Sequence, residues 1–177
     1  MGKALAPGDA RDATLTRMMQ QYAKELTGLC AALLKDRDLA QDAVQETFLR
    51  AYRAMDGYRG GSEKAWLTSI AVNVSRNMRR TAWFRARGRS VPIDERIPAR
   101  VSEEERGLFD AVEALDRRSR EVILMRYYQE MTVHEIASVL RISESAVYKR
   151  LESAKQRLGK ALERRGDRWM KTDCARP

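Results

Sequence analysis

The chain has 177 residues and a net charge of +9 at neutral pH, with 34 Lys and Arg against 25 Asp and Glu. Its hydrophobic fraction of 44% can build a core, which excludes a wholly disordered chain. No apolar run approaches the roughly 20 residues needed to cross a bilayer, no signal peptide is recognisable, and the cysteines are too few for a disulfide framework. We therefore expect a cytoplasmic protein with no membrane insertion and an anionic partner, nucleic acid first.

The first half of the chain predicts three helices. Apolar residues at spacings of three and four, Met19 and Cys30 among them, follow one stripe over residues 15–33. A second helix is expected over about 38–55, and the glycines that follow it indicate a loop. A third helix then places Trp66 and Ile70 one turn apart. Alternating patterns typical of strands are almost absent, so the chain is expected to be all-α.

The helical pattern dissolves after residue 85, where Gly88, Pro92 and Pro98 stand among arginines. This composition is typical of a flexible basic linker, and helical periodicity resumes beyond it. The sequence therefore predicts two small helical bundles joined by a linker. The expected boundaries are a flexible tail over 1–11, a first domain over 12–88, a linker over 89–105, a second domain over 106–165 and a tail over 166–177.

The second domain contains the pattern of a helix-turn-helix. Thr132 and Glu135 fit a capping box at the start of a short helix, and Ser143 is a favourable N-cap for the next one. The connecting turn is three residues long and has Arg141 where glycine is usual, so a left-handed backbone is expected there. The alternative is an ordinary helical hairpin with a solvated, charged face.

The second helix of this motif would enter the major groove of DNA. The residues expected to meet base edges are Glu144, Ser145, Tyr148, Lys149 and Ser153. The residues expected to meet phosphates are Arg150, Lys155 and Arg157. Phosphate contacts supply salt-sensitive affinity, whereas base contacts supply specificity.

Two further surfaces in the first domain have opposite charge. Six arginines and no acidic residue occupy positions 76–89, with Asn73, Asn77, Trp83 and Phe84 interleaved, a combination that suits bases taken out of a duplex. An equally favoured alternative is that Trp83 and Phe84 are core residues and the arginines form a solvated face. Asp42, Gln45 and Glu46 instead form an acidic face that suits a basic protein partner, unless it is simply solvated.

Residues 42–48, Trp66-Leu67, Ile70-Ala71 and Asn73, followed by the terminal helix-turn-helix, closely resemble the extracytoplasmic-function group of bacterial RNA polymerase sigma factors. The resemblance covers about 15–162. It implies that Asp42, Gln45 and Glu46 dock on the clamp helices of the polymerase β′ subunit. It also implies that the helix-turn-helix reads the −35 element as duplex DNA and packs on the β flap.

The same resemblance implies that the first domain recognises the −10 element as single-stranded DNA with a base flipped out. The residues implied for this role are Tyr58, Arg59, Asn73, Arg76, Asn77 and Arg80. Lys64 stands where many family members carry an aromatic residue. The linker would run toward the active-site channel of the polymerase, and an anti-sigma factor would hold the protein inactive.

No catalytic, metal-binding or cofactor-binding group is expected. His134 is the only histidine and is expected to face solvent, and Cys30 is most simply a small core residue. No pair of acids and no glycine-rich phosphate loop stands in a recognisable catalytic pattern. A stand-alone helix-turn-helix regulator and an enzyme acting on nucleic acid are the alternative classes of protein.

Overall fold

The computed structural model describes residues 7–85 and 103–163, with side chains over 11–81 and 107–163, and every regular element in these ranges is helical. The chain divides into two compact units, Met1–Val91 and Pro92–Pro177. The predicted all-α class is confirmed. The tail over 166–177 and most of the predicted linker lie outside the described residues.

The first unit consists of α1 (Pro7–Leu34), α2 (Arg37–Ala54), a short 3₁₀ turn (Met55–Gly57) and α3 (Glu63–Arg85). Helix α1 begins inside the segment predicted as a tail. Proline is favoured in the first position of a helix because its missing N–H has no partner to lose there. Between α1 and α2, Lys35 takes a left-handed φ of 57°, and the Asp36 carboxylate caps α2 by accepting from the backbone N–H groups of Asp38 and Leu39.

The core of the first unit lies between its three long helices. Its buried side chains include Met18, Leu26, Leu29, Cys30, Leu33, Ala40, Ala43, Phe48, Ala51, Leu67, Ala71 and Val74. The prediction that Met19 belongs to this stripe is wrong, since Met19 is 44% exposed. It lies about 100° around the helix from Met18, which takes the buried place. Trp66 and Ile70 are half-buried at the edge of the core, because the smaller Leu67 and Ala71 occupy its centre.

Cys30 is a core residue, as its place in the sequence predicted. It is fully buried, and the Ser75 hydroxyl donates to its Sγ at 3.5 Å. Burial raises the pKa of the Cys30 thiol, and the hydroxyl offsets this only in part. The thiol is therefore a packing group that resists ionisation.

The second unit consists of α4 (Glu103–Ala114), α5 (Arg117–Ile123), a π-helical turn (Leu124–Tyr128), α6 (Val133–Leu140) and α7 (Glu144–Glu163). Helix α4 begins inside the segment predicted as a linker. The acidic run 103–105 favours a helix start at that point, because carboxylates stabilise the positive end of the helix dipole. Helix α7 contributes Val147, Leu151, Ala154, Leu158 and Leu162 to the core.

A buried arginine joins α4 to α5. Arg120 is only 6% exposed, and its guanidinium donates to the carbonyls of Val112 at 3.2 Å, Glu113 at 2.5 Å and Leu115 at 2.6 Å. The last carbonyls of a helix have no partner within the helix, so a guanidinium placed there satisfies them. Arg120 therefore caps the C-terminus of α4. The sequence did not indicate this role, because Arg120 stands among other charged residues.

Candidate nucleic-acid interface

The turn between α6 and α7 has the geometry expected of a helix-turn-helix. The Thr132 hydroxyl accepts from the Glu135 N–H at 3.2 Å while the Glu135 carboxylate accepts from the Thr132 N–H at 2.8 Å, which completes the capping box. Arg141 is left-handed, with φ 54° and ψ 51°. The Ile142 N–H donates to the Ala137 carbonyl at 3.1 Å, so the turn is a Schellman motif formed without glycine.

Helix α7 presents its first turns to solvent. The Ser143 hydroxyl accepts from the Ala146 N–H at 3.2 Å and so caps the helix. Among the predicted base-contacting residues, Ser145, Tyr148 and Lys149 are exposed, and Ser153 is half-buried. Tyr148 is 60% exposed, so its ring is accessible to a ligand. This arrangement can place hydrogen-bonding groups and one ring in a groove.

Glu144, one of the predicted base-contacting residues, has a partner within the motif that the sequence did not indicate. Its Oε1 lies 2.8 Å from Nδ1 of His134, which projects from the first turn of α6 and is itself highly exposed. His134 was expected to face solvent, and it does so while contacting this carboxylate. The two side chains connect the two helices of the motif at its exposed end.

Two of the three predicted phosphate ligands have partners within the second unit. The Lys155 Nζ lies 5.9 Å from the centre of the Tyr127 ring, in the cation–π range. Arg157, predicted to meet phosphates, is exposed and forms an ion pair with Asp116, the N-cap of α5. Arg150 is half-buried. The sequence did not single out Tyr127, because nothing in the pattern distinguishes it from the neighbouring Tyr128. The structure shows that both rings are exposed, whereas Met125 and Gln129 are buried.

In the first unit, α3 brings three of its predicted contact residues to one exposed face. Asn73, Asn77 and Arg80 are spaced by four and three residues and are all exposed. Arg76 is half-buried, and Arg59 is exposed in the segment that precedes α3. The side chains of Trp83 and Phe84, and with them the alternative of a buried aromatic pair, lie outside the described residues.

Tyr58, predicted to contact the −10 element, is half-buried and held by intramolecular contacts. Its ring stacks on Trp66 with centroids 4.6 Å apart and planes at 29°, and its hydroxyl donates to the Gly61 carbonyl at 2.7 Å. Burial is the main cause that raises the pKa of the Tyr58 phenol, followed by the nearby Glu63 carboxylate. Gly60 and Gly61 have φ of 88° and 98°, values that only glycine adopts readily. Tyr58 therefore closes a compact turn.

The acidic face of α2 is partly neutralised. Asp42 and Gln45 are exposed, whereas Glu46 is half-buried and its Oε1 accepts from Arg50 Nε at 2.6 Å. One turn further along, Leu49 is 52% exposed. This face therefore combines an exposed acid, an amide and an apolar side chain. Sequence periodicity did not single out Leu49, because its neighbour Phe48 already accounted for the buried position.

Within the described residues, no group of three or more His, Cys, Asp or Glu side chains is arranged to hold a metal ion. In the same part of the chain, no helix combines the length and apolar character of a membrane span.

The fold and the helix-turn-helix define a helical DNA-binding protein, and comparison with known families gives its class. Residues 18–85 match Sigma-70 region 2, and residues 106–158 match Sigma-70 region 4. The RNA polymerase sigma-E factor of Streptomyces antibioticus is 32% identical over 141 residues, which cover 75% of this chain and 76% of that protein. The ECF sigma factor SigM of Bacillus subtilis is 29% identical, over 86% of this chain and 97% of SigM.

Two solved structures share the fold. The sigma factor RpoE of Bartonella quintana, determined in complex with the anti-sigma factor NepR, superposes with a TM-score of 0.76 at 21% identity and covers 85% of this chain and 97% of that one. CnrH in complex with the cytosolic domain of CnrY gives a TM-score of 0.66 at 24% identity, over 86% and 90% of the two chains. The present chain belongs to the sigma-70 family of RNA polymerase sigma factors, in its extracytoplasmic-function group.

Proposed function

We propose that this sigma factor docks on core RNA polymerase through α2 and reads a promoter with α3 and α7. The observation that carries the proposal is the pair of matched regions, in order, on two units that each present a separate charged surface. Sigma factors initiate transcription, and the polymerase performs the chemistry. For this chain, the family membership supports the class of function. The geometry supports the assignment of docking to α2 and of promoter recognition to α3 and α7.

In the second unit, the first turns of α7 would enter the major groove of the −35 element. Ser145, Tyr148 and Lys149 are the exposed side chains there, with Glu144 beside them and Ser153 one turn on. Lysine donates to guanine acceptors, and carboxylates accept from cytosine or adenine amino groups, so the set can discriminate bases. Arg150 and Lys155, on the same helix, would neutralise backbone phosphates.

In the first unit, the exposed face of α3 would meet the −10 element. Asn73 and Asn77 carry amides that can pair with the edges of an unstacked base, and Arg80 and Arg59 carry charge for the backbone. Arg76 lies at the edge of this face. Tyr58 supports the adjoining turn through Trp66. A base captured in this way would help to separate the strands.

The docking face would consist of Asp42, Gln45 and Leu49 on α2, with Glu46 held by Arg50. Its expected partner is the clamp helices of the β′ subunit, while the second unit would pack on the β flap. The solved relatives were determined with anti-sigma partners, which supports the proposal that such a partner also restrains this chain in the cytoplasm.

Asp42→Lys tests the docking face. Asp42 is exposed, whereas Glu46 is paired with Arg50, so reversing Asp42 changes the more accessible carboxylate of this face. We expect the affinity for core polymerase to fall by about tenfold, a change that corresponds to about 1.4 kcal/mol. The measurement is fluorescence anisotropy of labelled protein titrated with core polymerase.

Lys24→Glu is the control, because it reverses an exposed charge on another helix of the same unit. Equal affinities of Asp42→Lys and wild type would contradict the docking face. For the function itself, transcription from fragments of the source genome is measured with core polymerase and this chain. Tight binding to a palindromic operator without polymerase, and no initiation with it, would instead favour a stand-alone regulator.

A further inference from the structure

We propose that α1 positions the segment over residues 57–62, and that Arg17 is a positioning residue that acts on this segment through Glu63. The inference rests on the proposed role of the first unit at the −10 element, since this segment contains Arg59 and adjoins α3. Nothing in the sequence pattern pointed to Arg17, which is an exposed arginine among many.

The central contact is a two-bond ion pair. Arg17 Nη1 donates to Glu63 Oε2 at 2.9 Å, and Nη2 donates to Glu63 Oε1 at 2.5 Å. Glu63 is the first residue of α3 and directly follows the segment. A bidentate arginine–carboxylate pair fixes orientation as well as distance, because both partners are planar. The hydrogen bond from Arg17 is also the largest cause that lowers the pKa of Glu63.

Two more ion pairs connect α1 to the two sides of the same segment. Arg11 Nη1 lies 3.1 Å from Asp56 Oδ2, and Arg11 Nη2 donates to the Tyr52 carbonyl at 2.8 Å. Beyond the segment, Lys64 Nζ lies 3.0 Å from Glu25 Oε2. One helix therefore holds the residue before the segment and the two residues after it.

The segment itself needs such external support. Gly60 and Gly61 have positive φ, and a side chain added at either would meet nothing within 4 Å, so packing around them does not restrict the backbone. Its internal contacts include the stack of Tyr58 on Trp66, the Tyr58 hydroxyl bond to Gly61, and the Ser62 hydroxyl, which accepts from the Ala65 N–H at 3.1 Å. Because glycine has the widest backbone freedom, the ties at its two ends determine where the segment is presented.

The three ion pairs are solvent-accessible, and exposed pairs add little to folding stability. Their effect is geometric: a ligand-contacting segment that is held in place before binding does not lose the corresponding freedom on binding. Loss of the Arg17–Glu63 pair should therefore impair strand opening at the −10 element. Docking on core polymerase and the −35 contact, which use other surfaces, should not change.

The experiment compares Arg17→Glu, Glu63→Arg and the double exchange in holoenzymes, on a promoter from which the wild-type holoenzyme initiates. Opening is measured by permanganate reactivity of unpaired thymines, and docking by anisotropy with core polymerase. We expect Arg17→Glu to lower the open fraction by about fivefold, and the double exchange to return it to within about twofold of wild type. The free energy of unfolding, measured by urea denaturation, should be nearly the same in all these variants, because exposed pairs add little stability. A loss of opening that followed an equal loss of folding stability would overturn the positioning role.

Lys24→Glu is the matched control, since it reverses an exposed charge on the same helix outside the three pairs. Glu63→Gln is the second variant; it removes the charge of the pair, keeps a side chain of the same size and should lower opening to a smaller extent. Unimpaired opening by Arg17→Glu with an active wild type would overturn the inference alone, as would failure of the double exchange to rescue. Failure of the wild-type holoenzyme to initiate would overturn the proposed function and this inference with it.

Discussion

At the scale of single residues, Arg141 shows how the turn of the helix-turn-helix is formed without the usual glycine. A left-handed backbone brings the Cβ of an L-residue close to the following carbonyl oxygen, which costs roughly 1–2 kcal/mol. The Schellman hydrogen bonds of Arg141 and Ile142 compensate by satisfying the last carbonyls of α6. The turn is therefore retained at some cost in stability.

Arg141→Gly should stabilise the second unit. Glycine removes the steric cost at φ 54° but loses more conformational freedom on folding, so we expect the free energy of unfolding to rise by about 0.5–1 kcal/mol. Arg141→Val should lower it, because a β-branched side chain tolerates this backbone least. Urea denaturation followed by circular dichroism measures both changes. Equal midpoints for the glycine and valine variants would contradict the assigned strain.

At the scale of secondary-structure elements, the N-terminus of α5 depends on Asp116. Its carboxylate accepts from the N–H groups of Arg118 at 3.0 Å and Ser119 at 3.1 Å, from the Ser119 hydroxyl at 2.7 Å, and from Arg157 of α7. The Ser119 hydrogen bond is the largest of the causes that lower the pKa of Asp116. One carboxylate thus caps α5 and ties it to α7.

Asp116→Ala and Asp116→Asn separate these two roles. The alanine variant loses the cap and the ion pair, so its free energy of unfolding should fall by about 1 kcal/mol or slightly more. The asparagine variant keeps a favourable cap and should lose less. Because the folded pKa of Asp116 is lowered, its charge stabilises the fold above the unfolded value near pH 4, and this contribution disappears as the pH falls through the folded pKa.

The difference in stability between wild type and Asp116→Asn should therefore be present at pH 6 and shrink below about pH 4. Urea denaturation at a series of pH values measures it. A difference that stays constant across this range would show that the charge of Asp116 makes no contribution.

The helices themselves were largely readable from sequence, because caps and periodicity are local. Helix α6 has its predicted capping box, and α2 begins within one residue of its expected start. What sequence could not provide was the partner of each charge. Nothing in the sequence around Arg120, Arg157 or Arg17 indicates a partner, yet one is buried and two form ion pairs with residues more than 40 positions away. Such partners depend on tertiary packing.

At the scale of the whole molecule, each unit has its own core. Fully buried side chains such as Leu29 and Leu67 fill the first unit, while Met125, Ile136 and Val147 fill the second. The sequence predicted this division from one stretch of arginine, glycine and proline. The boundary between the units falls at residues 91 and 92, inside that stretch.

Residues 1–91 and 92–177, expressed separately, should each fold. We expect both fragments to give helical circular dichroism spectra and cooperative thermal unfolding, because each unit has its own set of buried apolar side chains. The first fragment should also compete with the full chain for core polymerase, since it contains α2. A fragment 1–91 without helical signal would contradict the independence of its core.

The π-helical turn at Leu124–Tyr128 constrains how this protein can change in length. A π turn contains one residue more than an α turn, so deleting one residue there would let α5 continue without interruption. The five residues of a π turn span nearly the same rotation as four residues of an α-helix, so the side chains beyond such a deletion would keep their faces. In related genes, a single-residue deletion should therefore be tolerated here more readily than one inside α7.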